Sequence, residues 1–203
     1  MRSFSEIDTT AKSASKAAGF SWGMAEEIGK SIRSLELFGL PGIININNYL
    51  RKIKQKHPKK IEKIEKENKT GDKEICPIYS GVAFLDRCLE LEKLKSHKFY
   101  NVNYPLLMIP FISRASGIMS KKILVQYDNT SFLLNFDRAI FSKNIDQQGQ
   151  PLVNVVNIEF IENKNSFSEQ DWKELYKLSE ETFVEESDSS KTKAAGAGLT
   201  DND

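Results

Sequence analysis

The spacing of apolar residues changes along this chain, from the period of a helix near the N-terminus to the period of a strand further on. In residues 21–42, SWGMAEEIGKSIRSLELFGLPG, apolar side chains recur three or four positions apart, at Met24, Ile28, Ile32 and Leu35. This spacing predicts an amphipathic helix with one buried face. We therefore expect a helical N-terminal half.

Serine and glycine residues mark the ends of two N-terminal helices. Ser5 is expected to cap a helix over residues 6–18 that ends at Gly19, and Ser21 is expected to cap the second helix. Inside the second helix, Gly23 and Gly29 each cost about 1 kcal/mol relative to alanine. They therefore indicate the close approach of another backbone or of a ligand.

Alternating hydrophobicity begins in the later part of the chain. The segments KKILVQY (121–127) and SFLLNF (131–136) flank a turn and predict a β-hairpin, and PLVNVVNIEFIE (151–162) predicts a third strand. Ser168 opens a closing helix that has acids in its first turn. Helices first, strands later and a closing helix predict an α+β fold, followed by a tail rich in glycine and aspartate.

Length and composition predict one globular domain over residues 1–188, with a C-terminal tail over residues 189–203. Residues 51–73 hold ten Lys or Arg residues and four acids but no aromatic residue. Because single-strand binders usually add stacking rings to positive charge, this stretch predicts a solvated helix or an insertion and not a nucleic-acid site.

The composition argues against several classes of function. A formal net charge of +1 gives no global field for nucleic acid or an anionic membrane, and no run approaches the roughly 18 apolar residues of a membrane span. We therefore expect a soluble, cytoplasmic protein. Cys76 and Cys88 are predicted to be reduced thiols, and His57 and His97 lie outside any ligand-spaced cluster, so no metal site is expected. The sequence contains no established catalytic or cofactor motif.

Two acids follow the start of the second helix and form the first candidate site. Ser21 and Trp22 lie at a helix N-terminus, which favours an anion. Glu26 and Glu27 follow one turn later, where paired carboxylates serve acid–base chemistry or hold a cation. The alternative is a capped helix in which Trp22 packs in the core and both glutamates face solvent.

Two arginines are candidates for binding a ligand carboxylate. Arg114 directly follows the apolar segment NYPLLMIPFIS, so it is expected to be partly buried and paired. Prolines break this segment, which predicts a buried strand or a bent helix. Arg33, on the second predicted helix, is the other candidate for a carboxylate clamp.

The chain ends on AAGAGLTDND (194–203), which is either a lid and docking element or a loose polar terminus. Its glycines permit unusual backbone conformations, and its hydroxyl and acidic groups could bind a ligand or a neighbouring subunit. The candidate binding residues of this tail are Gly196, Gly198, Thr200, Asp201, Asn202 and Asp203.

The segments GFSWGMAEEIG, CPIYSG, PLLMIPFISRAS and AAGAGLTDND, in this order, resemble a family of bacterial proteins that carry a domain of unknown function, found especially in alphaproteobacteria. The chain departs from the family pattern at Ala195, at Phe20 and in the lysine-rich residues 51–73. The resemblance implies no activity, but it implies that the tail is a motif.

Two functions from different classes remain open. The first is a cytoplasmic small-molecule-binding protein or enzyme of bacterial metabolism, with a site near Ser21–Glu27 that the tail closes. The second is a non-catalytic accessory subunit, whose tail docks a partner enzyme. A homo-oligomer is compatible with either function, and no cofactor is indicated. A nucleic-acid-binding regulator depends on residues 51–73 alone and ranks last.

Overall fold

The computed structural model describes residues 2–55, 60–61, 63–71 and 73–182. The chain divides into two compact units, with the boundary between Asn163 and Lys164. The predicted start of the tail at residue 189 lies outside the described residues, so the domain prediction for 1–188 stays a prediction.

In the first unit, most of the helices precede the strands along the chain, and the strands form a mixed β-sheet. Its helices are α1 (Phe4–Ala17), α2 (Trp22–Leu37), α3 (Gly42–Gln55), α4 (Pro77–Asp86), α5 (Cys88–Leu91) and α6 (Ile109–Met119), with 3-10 turns at Glu92–Leu94 and Pro105–Met108. Its strands are β1 (Glu67–Asn68), β2 (Ser96–Val102), β3 (Lys122–Tyr127), β4 (Thr130–Asn135), β5 (Ala139–Lys143) and β6 (Val153–Ile161). The predicted α+β class is confirmed.

The six strands form one sheet in the order β1-β2-β6-β3-β4-β5. The short β1 runs parallel to β2, and the other neighbours are antiparallel. The predicted hairpin is β3 and β4, with Tyr127 opposite Thr130 across a two-residue turn. The predicted third strand is β6, which pairs with both β2 and β3.

The first two helices begin at serine caps. Ser21 caps α2 as predicted, because its Oγ accepts a hydrogen bond from the Met24 N–H at 3.3 Å. The prediction that Ser5 caps α1 is wrong. Ser3 has the extended backbone of an N-cap and accepts from the Glu6 N–H at 3.1 Å, so the helix begins earlier.

The lysine-rich stretch is not a continuous helix. Residues 51–55 finish α3, and the described residues between 60 and 73 form a bend, the short β1 and a turn. The side chain of Asn68 donates to the Lys98 carbonyl at 3.0 Å. The buried His97 has its Nδ1 2.9 Å from the Glu65 carbonyl oxygen and its Nε2 3.0 Å from that of Leu91, so the nitrogen that carries a proton donates to its carbonyl. These tertiary bonds to β2 outweigh the helical charge pairs that the sequence suggests.

The second unit begins at Lys164, and its described part contains the predicted closing helix, α7 (Glu169–Glu180). Ser168 and Asp171 form a capping box at its start, and the hydrogen bonds from Ser168 lower the pKa of Asp171. Its apolar residues are at least half exposed, at Trp172, Leu175, Tyr176 and Leu178.

Neither unit has a helix, within its described residues, that is long and apolar enough to cross a membrane.

The contact between α1 and α2 depends on a missing side chain at Gly29. A Cβ atom at Gly29 would lie 2.7 Å from the Asp8 carbonyl oxygen, whereas one at Gly23 would meet no atom of the described residues within 4 Å. The predicted close approach of another backbone is therefore confirmed at Gly29 and is not seen at Gly23, where the approach of a ligand stays a prediction.

Replacing Gly29 should destabilise the protein. We expect Gly29→Ala to lower the free energy of unfolding by about 1–3 kcal/mol, because the backbone of α1 must move away. The control Gly23→Ala should raise it by about 0.4–1 kcal/mol through reduced entropy of the unfolded chain. Urea unfolding of both variants measures this, and equal effects would contradict the packing argument.

Candidate functional site

A cavity of about 390 Å³ lies between α2 and α6. The second half of α2 forms one wall, and Pro110 and Arg114 of α6 form another. Asp137, in the turn between β4 and β5, completes the lining. Residues that are distant in sequence therefore meet at one concave surface.

Three cationic side chains line this cavity: Lys30 and Arg33 from α2, and Arg114 from α6. The single acid among the described lining residues is Asp137. Each of the three cations also pairs with an acid beside the cavity, so the cavity offers an anion charged N–H donors and not a strong positive field.

Glu27 holds two of these cations in place. Its carboxylate accepts a hydrogen bond from Arg114 Nη1 across 87 residues of sequence, and another from Lys30 Nζ at 3.1 Å. Partial burial raises the pKa of Glu27, but these two hydrogen bonds and charges outweigh burial and bring it below its ordinary value. The hydrogen bond to Glu27 raises the pKa of Lys30. Both groups are therefore charged at neutral pH.

Arg33 is held more loosely than Arg114. Its Nη1 lies 3.5 Å from Asp8 Oδ2 of α1, and about half of its side chain is exposed. A guanidinium has five N–H donors in a planar fork. Both arginines therefore keep N–H groups that could donate hydrogen bonds to a carboxylate or phosphate group.

Ser31 also lines the cavity, although its hydroxyl is not open to it. The residue is 3% exposed, and its Oγ is buried without a hydrogen-bond partner among the described residues. A ligand in the cavity could therefore touch Ser31 but could not reach this oxygen.

The other predicted residues at the start of α2 lie outside the cavity. Ser21 and Trp22 are not among the described residues that line it, and the Ser21 Oγ serves its own helix as cap. Trp22 is 61% exposed, with Lys16 Nζ 5.4 Å from its ring centroid, so the alternative of a core tryptophan is wrong. Glu26 is exposed and pairs with Lys30 at 3.4 Å.

Of the predicted site residues, Arg33 and Arg114 line the cavity, and Glu27 accepts a hydrogen bond from Arg114. The predicted pairing of a partly buried Arg114 is confirmed. The predicted tail residues Gly196, Gly198, Thr200, Asp201, Asn202 and Asp203 lie outside the described residues. Within the described chain, no group of three or more His, Cys, Asp or Glu side chains is placed to hold a metal ion.

Sequence reasoning missed Lys30, Ser31 and Asp137. The signal for Lys30 is its position three residues after Glu27, which places both side chains on one helix face. The signal for Ser31 is its position next to the apolar Ile32, which places a polar residue beside the buried face of α2. Asp137 has no sequence signal, because the β4–β5 turn reaches the cavity only by packing on α6, where the Phe136 N–H donates to Ser116 Oγ.

Residues 2–76 match the family model described as "Protein of unknown function (DUF3726)". The predicted resemblance to a family of unknown function is confirmed over these residues, which include Lys30 and Arg33 but not Arg114. No curated protein and no solved structure matches the chain.

The lowered pKa of Glu27 predicts a pH-dependent contribution to stability. Its folded-state pKa lies below the unfolded value, so its contribution is present above the unfolded pKa, about 4.3, and is lost as pH falls through the folded value. We expect the difference in unfolding free energy between wild type and Glu27→Gln to shrink in acid. Urea unfolding between about pH 7 and pH 3 measures this.

The control for this experiment is Glu26→Gln, which removes the neighbouring, exposed carboxylate that does not contact Arg114. Its effect on unfolding should be small at every pH, because exposed ion pairs contribute little. A Glu27→Gln difference that stays constant across the pH range would contradict the assignment.

Proposed function

We propose that this protein binds a small anionic metabolite in the α2–α6 cavity, as a cytoplasmic binding protein or enzyme of bacterial metabolism. The supporting observation is the convergence of Lys30, Arg33 and Arg114, from two helices, on one cavity. The anionic group is a carboxylate or a phosphate, since both match the fork of a guanidinium.

Asp137 narrows the class of ligand, because it can accept a hydrogen bond from a ligand hydroxyl or amino group. A small hydroxy acid, amino acid or sugar phosphate carries both an anionic group and such a donor.

We assign Glu27 a positioning role in this function. Its charge and its hydrogen bonds fix Arg114 and Lys30 beside the cavity, and a carboxylate with a lowered pKa is a weak base near neutral pH. The catalytic roles predicted for Glu26 and Glu27 stay predictions.

Removing the arginines should weaken anion binding. We expect succinate and inorganic phosphate, tested separately by calorimetry at constant ionic strength, to bind the full chain. Arg33→Gln and Arg114→Gln should each weaken the preferred anion by about tenfold or more, because each removes a charge-assisted hydrogen bond. Ligand binding should also raise the melting temperature of wild type.

The matched control is Arg87→Gln. Arg87 pairs with Glu90 on the surface and does not line the cavity, so its loss should leave affinity unchanged. Equal losses in all three variants would indicate a general charge effect, and no binding of either anion would refute the proposal. Arg33 is half exposed, so its variant keeps the test informative even if Arg114→Gln unfolds.

The alternative function is an accessory subunit that docks a partner enzyme. The observation that favours it is the apolar face of α7, where Trp172, Leu175 and Leu178 are at least half exposed within the second unit. Exposed apolar side chains at helical spacing are typical of a helix that binds a groove on a partner.

Truncation after Lys193 distinguishes the two roles of the tail. If residues 194–203 form a lid over the cavity, their removal should weaken succinate or phosphate binding by about tenfold, because a lid excludes water from the bound anion. The full-length variant Arg87→Gln, which keeps the tail and does not change the cavity lining, is the control and should bind as wild type does. Unchanged affinity after truncation would rule out the lid and leave a docking element or a loose polar terminus.

A further inference from the structure

A second cavity, of about 340 Å³, lies between the α1–α2 turn, α3 and the start of α4. It shares no described lining residue with the α2–α6 cavity. Its walls are largely aromatic and apolar, from Phe20, Tyr49, Ile53 and Tyr79. Lys60 is its one charged residue in the part of the chain that the structure describes.

The aromatic wall is arranged as a platform. The ring centroids of Phe20 and Tyr79 lie 5.7 Å apart, with 31° between the ring planes. Lys60 Nζ lies 4.2 Å from the centroid of the Tyr79 ring, so the cation sits over an aromatic face. A flat ligand could therefore contact the rings and the ammonium group together.

The polar groups deep in this cavity are already satisfied. Tyr49 Oη and Cys76 Sγ lie 2.7 Å apart and hydrogen-bond each other. Burial raises the pKa of Cys76 and that of Tyr49. Both groups are therefore uncharged at neutral pH, and the charge offered to a ligand is that of Lys60.

We infer that this cavity is a second small-molecule site and that it binds an aromatic carboxylate. The apolar ring of the ligand would contact Phe20 and Tyr79, and its carboxylate would pair with Lys60 at the mouth. A single anionic group suits the one cation among the described lining residues, and a planar body suits an aromatic wall. Cavities with apolar walls and one placed charge are typical of small-molecule sites.

Benzoate and its uncharged analogue benzamide test this inference. Calorimetry or ligand-observed NMR with the full chain should show that benzoate binds wild type about tenfold more tightly than benzamide, because only benzoate pairs with Lys60. Lys60→Gln should abolish this preference. Tyr79→Leu should weaken both compounds, because each loses the same ring contact.

Two further variants serve as controls. Lys66→Gln removes an exposed lysine from the same stretch without changing the cavity lining, and it should leave benzoate binding unchanged. Arg114→Gln reports any benzoate that binds in the α2–α6 cavity instead, and benzoate binding that this variant loses while Lys60→Gln keeps it would also overturn the inference. The inference is overturned if benzoate does not bind wild type, if benzamide binds equally well, or if Lys66→Gln weakens benzoate as much as Lys60→Gln. Lys60 is exposed, so its replacement should not prevent folding.

Discussion

The central position of β6 is the constraint on which the sheet depends. This strand pairs with β2 on one side and with β3 on the other, so it joins the part of the sheet that carries the lysine-rich stretch to the β3–β4–β5 meander. Its inward residues Val156, Ile158 and Phe160 are all buried. Without β6 both β2 and β3 would be left as open edges, and the apolar faces beside them would lose a neighbour.

The sequence predicted the elements whose signals are local. Ser21 with its i, i+4 stripe predicted α2, and alternation around a two-residue turn predicted β3 and β4. It did not predict α3, because isoleucine and asparagine in residues 43–48 are weak helix formers and the helix depends on burying Ile46, Tyr49 and Ile53. Residues 63–70 do not form the helix that was one of the two predictions for this stretch, because they pair and hydrogen-bond with β2.

The candidate site was predictable in its residue types more than in its location. Arg114 stood out because it follows an apolar segment, and Glu27 because it lies in a helix start, but their ion pair needs α2 and α6 to meet. The sequence predicted a site at the first turn of α2, but there the Ser21 Oγ accepts a hydrogen bond from its own helix. The cavity lies along the second half of α2. No local pattern could show that Asp137 would join it.

The Glu27–Arg114 pair has a consequence for how ligand and fold communicate. An anion bound as proposed would share the Arg114 guanidinium with Glu27, so its binding would be linked to the packing of α2 on α6. Such a link would be reciprocal, because a change that alters the free energy of packing between the two helices would alter ligand affinity by the same amount.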